Sequence, residues 1–293
     1  MASLVTKVKG KLSIHVRRRS VALLEGGYAS VHKGRSMDFD DLREYAAGDD
    51  VRDIDWKASA RHGSMLIKRY VAERHFSLII VLPAGREMAG LAAGGEVKRD
   101  VAVMVAGVLG WLAVRHGDDV SMVSGGSERI RATRSRSSEG HLEMLLQEGV
   151  ARSQADSPPS DLPELLRHIG RTIRGRKVLL IIADDGVDAP AVEDALRTLR
   201  LRHEVLWVDV ADLDPLDLAP ETRVRDVGSE RELPDLLGTD RQLARDFGAA
   251  ETERRADVAT MLRRTGVSAA RVGHTDEVVP MLVRMLEKRR RGR

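Results

Sequence analysis

The chain has 293 residues, 42% of them hydrophobic and 32% charged, with a formal net charge of +3 and no cysteine. That balance excludes disulfides, thiolate metal sites and cysteine nucleophiles, and it supports a folded core rather than a disordered chain. The longest uncharged run, Val101 to Val114, falls short of the ~20 apolar residues a bilayer helix needs, and MASLVTKVKGKLSIHVRRRS lacks the apolar stretch of a signal peptide, so no membrane span and a cytoplasmic location are expected.

In chain order, Met1 to Ser36 is a basic segment: Lys7, Lys9, Lys11, Arg17, Arg18, Arg19, Lys33 and Arg35 stand against the single acid Glu25. The sign then reverses. Eight carboxylates, Asp38, Asp40, Asp41, Glu44, Asp49, Asp50, Asp53 and Asp55, lie between Met37 and Lys57, among Phe39, Arg43, Tyr45, Arg52 and Trp56. Gly48-Asp49-Asp50 reads as a turn. From Asp53 to Arg61 the alternation places Ile54, Trp56, Ala58 and Ala60 on one strand face and Asp53, Asp55, Lys57, Ser59 and Arg61 on the other. Arg61-His62-Gly63-Ser64 supplies a turn, and Met65 to Tyr70 returns as a second strand, giving a hairpin. Either the charges form a cross-strand ladder that protects a sheet edge, or they form a docking face for a partner.

The remainder is more regular. Phe76 to Leu82 (FSLIIVL) is a buried strand, Val97 to Arg115 a helix apolar nearly all round, and Val120 to Val123 and Glu128 to Thr133 are strands. Helices follow at Gly140 to Ala151 and Leu162 to Arg174, separated by a loop around Pro158-Pro159, with Asp161 as a cap of the second. Val178 to Ala183 is a strand, Ala191 to Leu201 a helix and Glu204 to Val210 a strand. A short hairpin at Arg223 to Leu236, a helix over Asp240 to Arg264, a strand at Ala270 to Val272 and a helix from Asp276 complete the chain. Apolar strands alternating with helices predict an α/β fold with a doubly wound, mostly parallel sheet covered on both faces. A division at residue 75 is expected, with a β-rich module before it and the α/β domain over 76–293. The basic tail Lys288 to Arg293 lacks the interleaved aromatics that stack bases, so no nucleic-acid partner is expected.

The stretch GRSMDFDDLREYAAGDDVRDIDWKASARHG resembles the signature of the bacterial domain-of-unknown-function family 58. The motifs G-R-x-x-D-F, R-E-Y, G-D-D-V-R, I-D-W and A-R-x-G occur in order over Gly34 to Gly63, and an apolar strand follows. The resemblance implies a von Willebrand factor A-like domain after the signature module. It also implies genes that often lie beside those of MoxR-type AAA+ ATPases.

In an open α/β sheet, ligands bind beyond the carboxyl ends of the strands at the switch point. The resemblance would place a D-x-S-x-S loop there, its carboxylate and hydroxyls holding Mg2+. This chain has Pro83, Gly85 and Glu87 at those three positions, and Arg86 adds an opposing charge. Asp184 and Asp185 end the later strand, in a position that also reads as a turn before Gly186. A degenerate site without metal or other cofactor is therefore expected. Gly90 to Gly95 has phosphate-loop spacing, but Glu96 and Val97 stand where Lys and Ser/Thr would hold phosphate. His203-Glu204 begins like a zinc-protease helix, yet it lacks the second His and lies in a strand pattern.

Two functions follow. The favoured one is a non-enzymatic interaction module docking a protein partner, a MoxR-type ATPase or its client, through Arg43, Glu44, Asp49, Asp50, Asp53, Asp55, Trp56, Lys57 and Arg61, with Tyr45 as anchor or core. Exposure of Trp56 separates contact from scaffold. The alternative is a metal-assisted hydrolase or metal-dependent binding domain using Asp184, Asp185 and Glu87.

Overall fold

A computed structural model describes residues 3–15, 23–28, 39–46, 49–70, 77–126, 129–219, 222–233 and 239–291. In chain order the elements are helix α1 (Leu4–His15), strand β1 (Phe39–Glu44), helix α2 (Trp56–His62), strands β2 (Leu66–Tyr70) and β3 (Ser77–Leu82), helix α3 (Lys98–Arg115), strands β4 (Asp119–Gly125) and β5 (Ile130–Ala132), helices α4 (Glu139–Arg152) and α5 (Leu162–Thr172), strand β6 (Val178–Asp184), helix α6 (Ala189–Arg202), strand β7 (Glu204–Val210), helix α7 (Arg241–Arg264), strand β8 (Ser268–Val272) and helix α8 (Thr275–Arg291). They fall into two units, residues 1–31 with 76–293 and residues 32–75.

The larger unit is built on a six-stranded sheet of order β5-β4-β3-β6-β7-β8. Only β5 runs antiparallel to its neighbour; the pairs β4–β3, β3–β6, β6–β7 and β7–β8 are parallel. This is the expected doubly wound α/β sheet. Its strands read as continuous apolar runs because alternate side chains enter two different cores. Leu78, Ile80, Leu180, Ile182, Leu206 and Val208 point to a core shared with α1, α3, α4 and α8. Ile79, Val81, Leu179, Ile181, Val205 and Trp207 point to one shared with α5, α6 and α7.

Helix α1 departs from the reading of the first residues as a basic segment of the small module. Val5, Val8 and Leu12, spaced at i, i+3 and i+7, are buried in the first core of the larger unit. The approach is close: a Cβ on Gly107 of α3 would lie 2.4 Å from Val8 Cγ2. Its amino end is held by Glu143, which accepts from Ser3 Oγ at 2.7 Å and from the N–H groups of Leu4 and Val5 at 3.0 and 2.8 Å. Lys9 pairs with Glu139 at 2.6 Å, and Lys11 pairs with Asp276, so these lysines spend their charge within the larger unit.

In the small unit β1 and β2 pair antiparallel, Arg43 opposite Ile67 and Glu44 opposite Leu66. The segment after Asp53, expected as a strand, is instead helix α2. Asp55 is its N-cap, accepting from the N–H groups of Lys57 and Ala58 at 3.1 and 3.0 Å. Gly63, at φ 82°, closes the carboxyl end in the left-handed conformation that glycine adopts without strain. Two alanines inside the segment favour this outcome over a strand. Ser59 ties the helix to β2, its hydroxyl accepting from Leu66 N–H at 2.8 Å while donating to Asp55 O at 2.8 Å. The cross-strand charge ladder over residues 53–61 therefore does not form. Of the signature, residues 34–38 and 47–48, including Gly48, lie outside the described residues.

Candidate functional site

Strand order in the larger sheet reverses at β3 and β6, and the crevice beyond their carboxyl ends is the place for a ligand. A cleft of about 900 Å³ opens there, lined among others by Glu87, Lys98, Asp184, Asp212 and Asp226.

The loop after β3 offers few ligating side-chain oxygens. Pro83 and Gly85, both buried, have no ligating side-chain oxygen. A side chain at position 85 has no room, since a Cβ there would stand 2.3 Å from Glu87 Oε2, 2.5 Å from Ser160 N and 3.0 Å from Pro158 O. Glu87 fills that space and accepts from Ser160 N–H at 3.0 and 3.1 Å. Arg86 is paired with Glu230.

What the sequence reading missed is Lys98. This first residue of α3 is 5% exposed, and its ammonium contacts Asp212 Oδ1 and lies 3.6 Å from Asp184 Oδ2. Burial works to lower its pKa, but the charges of Asp184 and Asp212 outweigh it and raise the value, so the group stays cationic. Asp212 is displaced upward by burial, which Lys98 only partly opposes. Asp184 therefore faces a cation, beyond the turn role its sequence context suggests.

Asp185, 5% exposed, points elsewhere. Arg271 of β8 grips its carboxylate through two nitrogens, Arg255 of α7 stands 3.6 Å away, and Asp212 N–H donates to it at 3.2 Å. Burial would raise its pKa, but the Arg271 pair holds it below the usual carboxylate range. On β7, Asp209 accepts from the Trp207 indole N–H at 2.5 Å. Burial pushes its pKa up to about 7. The acids suggested for a hydrolase, Asp184, Asp185 and Glu87, thus serve three different partners. No group of three His, Asp or Glu side chains is placed to hold a metal among the described residues.

Two dismissed motifs have structural explanations. Within Gly90 to Gly95 the loop bonds laterally, Ala93 N–H to Ala211 O and Gly94 N–H to Gly273 O, both at 2.9 Å. Glu96 accepts from Thr275 N–H at 2.7 Å at the start of α8, a helix end that favours a carboxylate. Glu204 begins β7 and sits 2% exposed against Arg289 and Arg176.

In the small unit most of the acidic candidates turn inward to local structure. Asp49 pairs with Arg43 at 2.6 Å and accepts from Ala46 N–H at 2.9 Å, contacts that hold its pKa below the ordinary range. Asp50 accepts from Arg52 N–H at 3.0 Å, capping the 3₁₀ turn Val51–Asp53, and Asp55 caps α2. Asp53 and Tyr45 are half-buried, while Glu44 is exposed. Helix α2 buries none of its residues: Trp56, Lys57, Arg61 and His62 are exposed, Trp56 at 64%.

A family model described as "Protein of unknown function DUF58" matches residues 41–257. The uncharacterized protein Rv1480 of Mycobacterium tuberculosis (strain ATCC 25618 / H37Rv) is 26% identical over 288 residues, 96% of this chain and 88% of that protein. Among solved structures, conserved hypothetical protein BatB from Bacteroides thetaiotaomicron is similar with TM-score 0.46 and 14% identity, over 74% of this chain and 99% of that one. A von Willebrand factor type A protein from Catenulispora acidiphila is similar with TM-score 0.41 and 12% identity, over 76% of this chain and 44% of that one. Among the described residues no helix is long and apolar enough to cross a membrane.

Proposed function

We propose that this chain, which belongs to the DUF58 family, is a non-enzymatic protein-protein interaction module of the cytoplasm whose partner is a MoxR-type AAA+ ATPase or that ATPase's client. The observation that carries this reading is the exposure of Trp56 at 64%, accompanied in the same small unit by Val51 at 57% and Met65 at 52%. Tryptophan is the side chain most often found as an energetic anchor of interfaces, and a helix that buries nothing in its own unit is available for another surface.

The charge around the anchor differs from the acidic face suggested by composition. Arg52, Lys57 and Arg61 are exposed, and no ion pair joins them to another described residue. The complementary partner surface is therefore an acidic rim around an apolar pocket. The hydrolase reading loses its support because Glu87, Asp184 and Asp185 are separately engaged.

The test is recovery of the MoxR-type ATPase of the same genome on the immobilised protein. Trp56→Ala and the triple charge reversal of Arg52, Lys57 and Arg61 to Glu are compared with wild type after folding has been checked by circular dichroism. Loss of about tenfold or more in recovery supports the reading; wild-type recovery by both folded variants refutes it.

A further inference from the structure

The von Willebrand-like resemblance leads to the expectation of a metal ion beyond β3, and the residues there do not fit one. The reason lies in more than the missing ligands of the loop. A side-chain ammonium already stands where a cation is needed, between the carboxylates of Asp184, which ends β6, and Asp212, which follows β7. Lys98 reaches it by passing its aliphatic stem over Gly90, where a Cβ would sit 3.3 Å from Lys98 Cε, and its own N–H donates to Gly90 O at 2.9 Å. Its head is almost fully buried, in contact with Asp212 and 3.6 Å from Asp184. Asp226, on another wall of the cleft, feels the same charge: burial would raise its pKa, but the hydrogen bonds of Ser229 and Gly228 and, more weakly, the Lys98 charge hold its carboxyl below the ordinary range.

We propose that Lys98 is a tethered cation that takes the place of a divalent metal at the switch point, so that the cleft is held in shape without metal, and that removing the ammonium uncovers a divalent-cation site on Asp184 and Asp212. Two carboxylates facing one position are enough, since Mg2+ and Mn2+ bind through one or two carboxylates and keep several waters. One positive charge against two negative ones leaves the pair short by one unit, which a divalent ion would match. Without any cation the two carboxylates repel each other in a partly dry site, which buried acids resolve by binding a proton or a metal. Restoring the loop hydroxyls does not help, because position 85 has no room for a side chain. This inference is independent of the partner proposed above.

The test is titration of Mn2+ into the whole chain by calorimetry, with melting curves in the presence and absence of millimolar Mn2+. The wild type is expected to bind no Mn2+ and to melt at the same temperature in both conditions. Lys98→Ala is expected to melt lower without metal, to recover with Mn2+, and to bind the ion at least about tenfold more tightly than the weakest binding the titration detects, ~1.4 kcal/mol above that limit. Adding Asp212→Asn to that variant abolishes the gain. Where Lys98→Ala does not fold, Lys98→Gln decides, since it removes the charge and keeps a donor for Asp212. Mn2+ binding by the wild type that Asp184→Asn removes, or no gain of binding in a folded Lys98 variant, overturns the proposal.

Discussion

Replacing Asp55 separates two roles that its carboxylate could have. As an N-cap it satisfies the N–H groups of Lys57 and Ala58; as a surface charge it would touch a partner. Helix α2 has seven residues and buries none of them, so packing contributes little and the caps carry much of its hold. Removing a capping side chain costs typically about 1 kcal/mol, and Asn caps nearly as well as Asp. For Asp55→Ala that cost raises the population of the opened helix about fivefold, and amide exchange at Ser59 and Gly63, whose N–H groups bond to Asp55 O and Ser59 O at 2.9 Å, should accelerate by the same factor. Asp55→Asn should change exchange by less than about twofold. Hydrogen exchange followed by mass spectrometry resolves the two. Equal exchange in Asp55→Ala and wild type would refute the capping argument. The same pair then reads partner capture: a loss with Ala but not Asn marks Asp55 as scaffold, and an equal loss with both marks its charge as a contact.

Other expectations concern the larger unit. Burial acts to raise the pKa of Glu143, but the N–H groups of Val5 and Leu4, the Ser3 hydroxyl and Gln147 bring it from 4.5 to about 2. A depressed carboxyl pKa stabilises fully above the unfolded value, so wild type should exceed Glu143→Ala by about 1–2 kcal/mol at pH 7 in urea unfolding, after allowance for solvent screening, and the difference should shrink as pH falls from about 5 towards 2. Asp209 has the opposite sign: with its pKa raised from 3.8 to about 7, the folded state holds a proton that the unfolded state releases, and its contribution to stability falls as pH rises through that window. Trp207 fluorescence should titrate with a midpoint of about 7 and lose that step in Asp209→Asn, which should also be the more stable protein at pH 8; an unchanged titration would count against the assignment. Gly85→Ser should cost about 1–3 kcal/mol through overpacking and should confer no Mg2+ affinity, as melting curves with and without the ion would show.

Strands β3 and β6 were legible because they are covered on both faces and carry runs of Ile, Leu and Val, and β7 because Val205, Leu206, Trp207 and Val208 stand together in its middle. Helix α2 was misread because Ile54, Trp56, Ala58 and Ala60 alternate, and a period-two pattern over a few residues cannot be told from one turn of helix when the helix buries nothing. The decisive signals were Asp55 before the turn and Gly63 after it, a cap at each end. Helix α1 was equally present in the spacing of Val5, Val8 and Leu12, hidden by the lysines between them. Lys98 had no such signal. Its partners lie at the ends of β6 and β7, far along the chain, and only the parallel crossings of the sheet bring the three together.

A sequence crowded with acids suggests a negative surface only until each carboxylate has been assigned a partner. Here Asp49, Asp50 and Asp55 are bound to backbone N–H groups of their own loop, in the cleft Asp184 and Asp212 meet Lys98, and Asp185 meets Arg271. The charges left outward on helix α2 are Lys57 and Arg61, beside an exposed indole. Exposed rim charges chiefly set the rate of encounter and are screened within about 8–10 Å at physiological salt, whereas a desolvated aromatic anchor sets the lifetime of a complex. Raising salt from 50 to 500 mM should therefore slow association of the proposed ATPase partner several-fold in the wild type, but much less in Lys57→Gln/Arg61→Gln. Trp56→Ala should instead speed dissociation at either salt. Surface plasmon resonance separates the two rates, and association that does not respond to salt would remove the basic rim from the account.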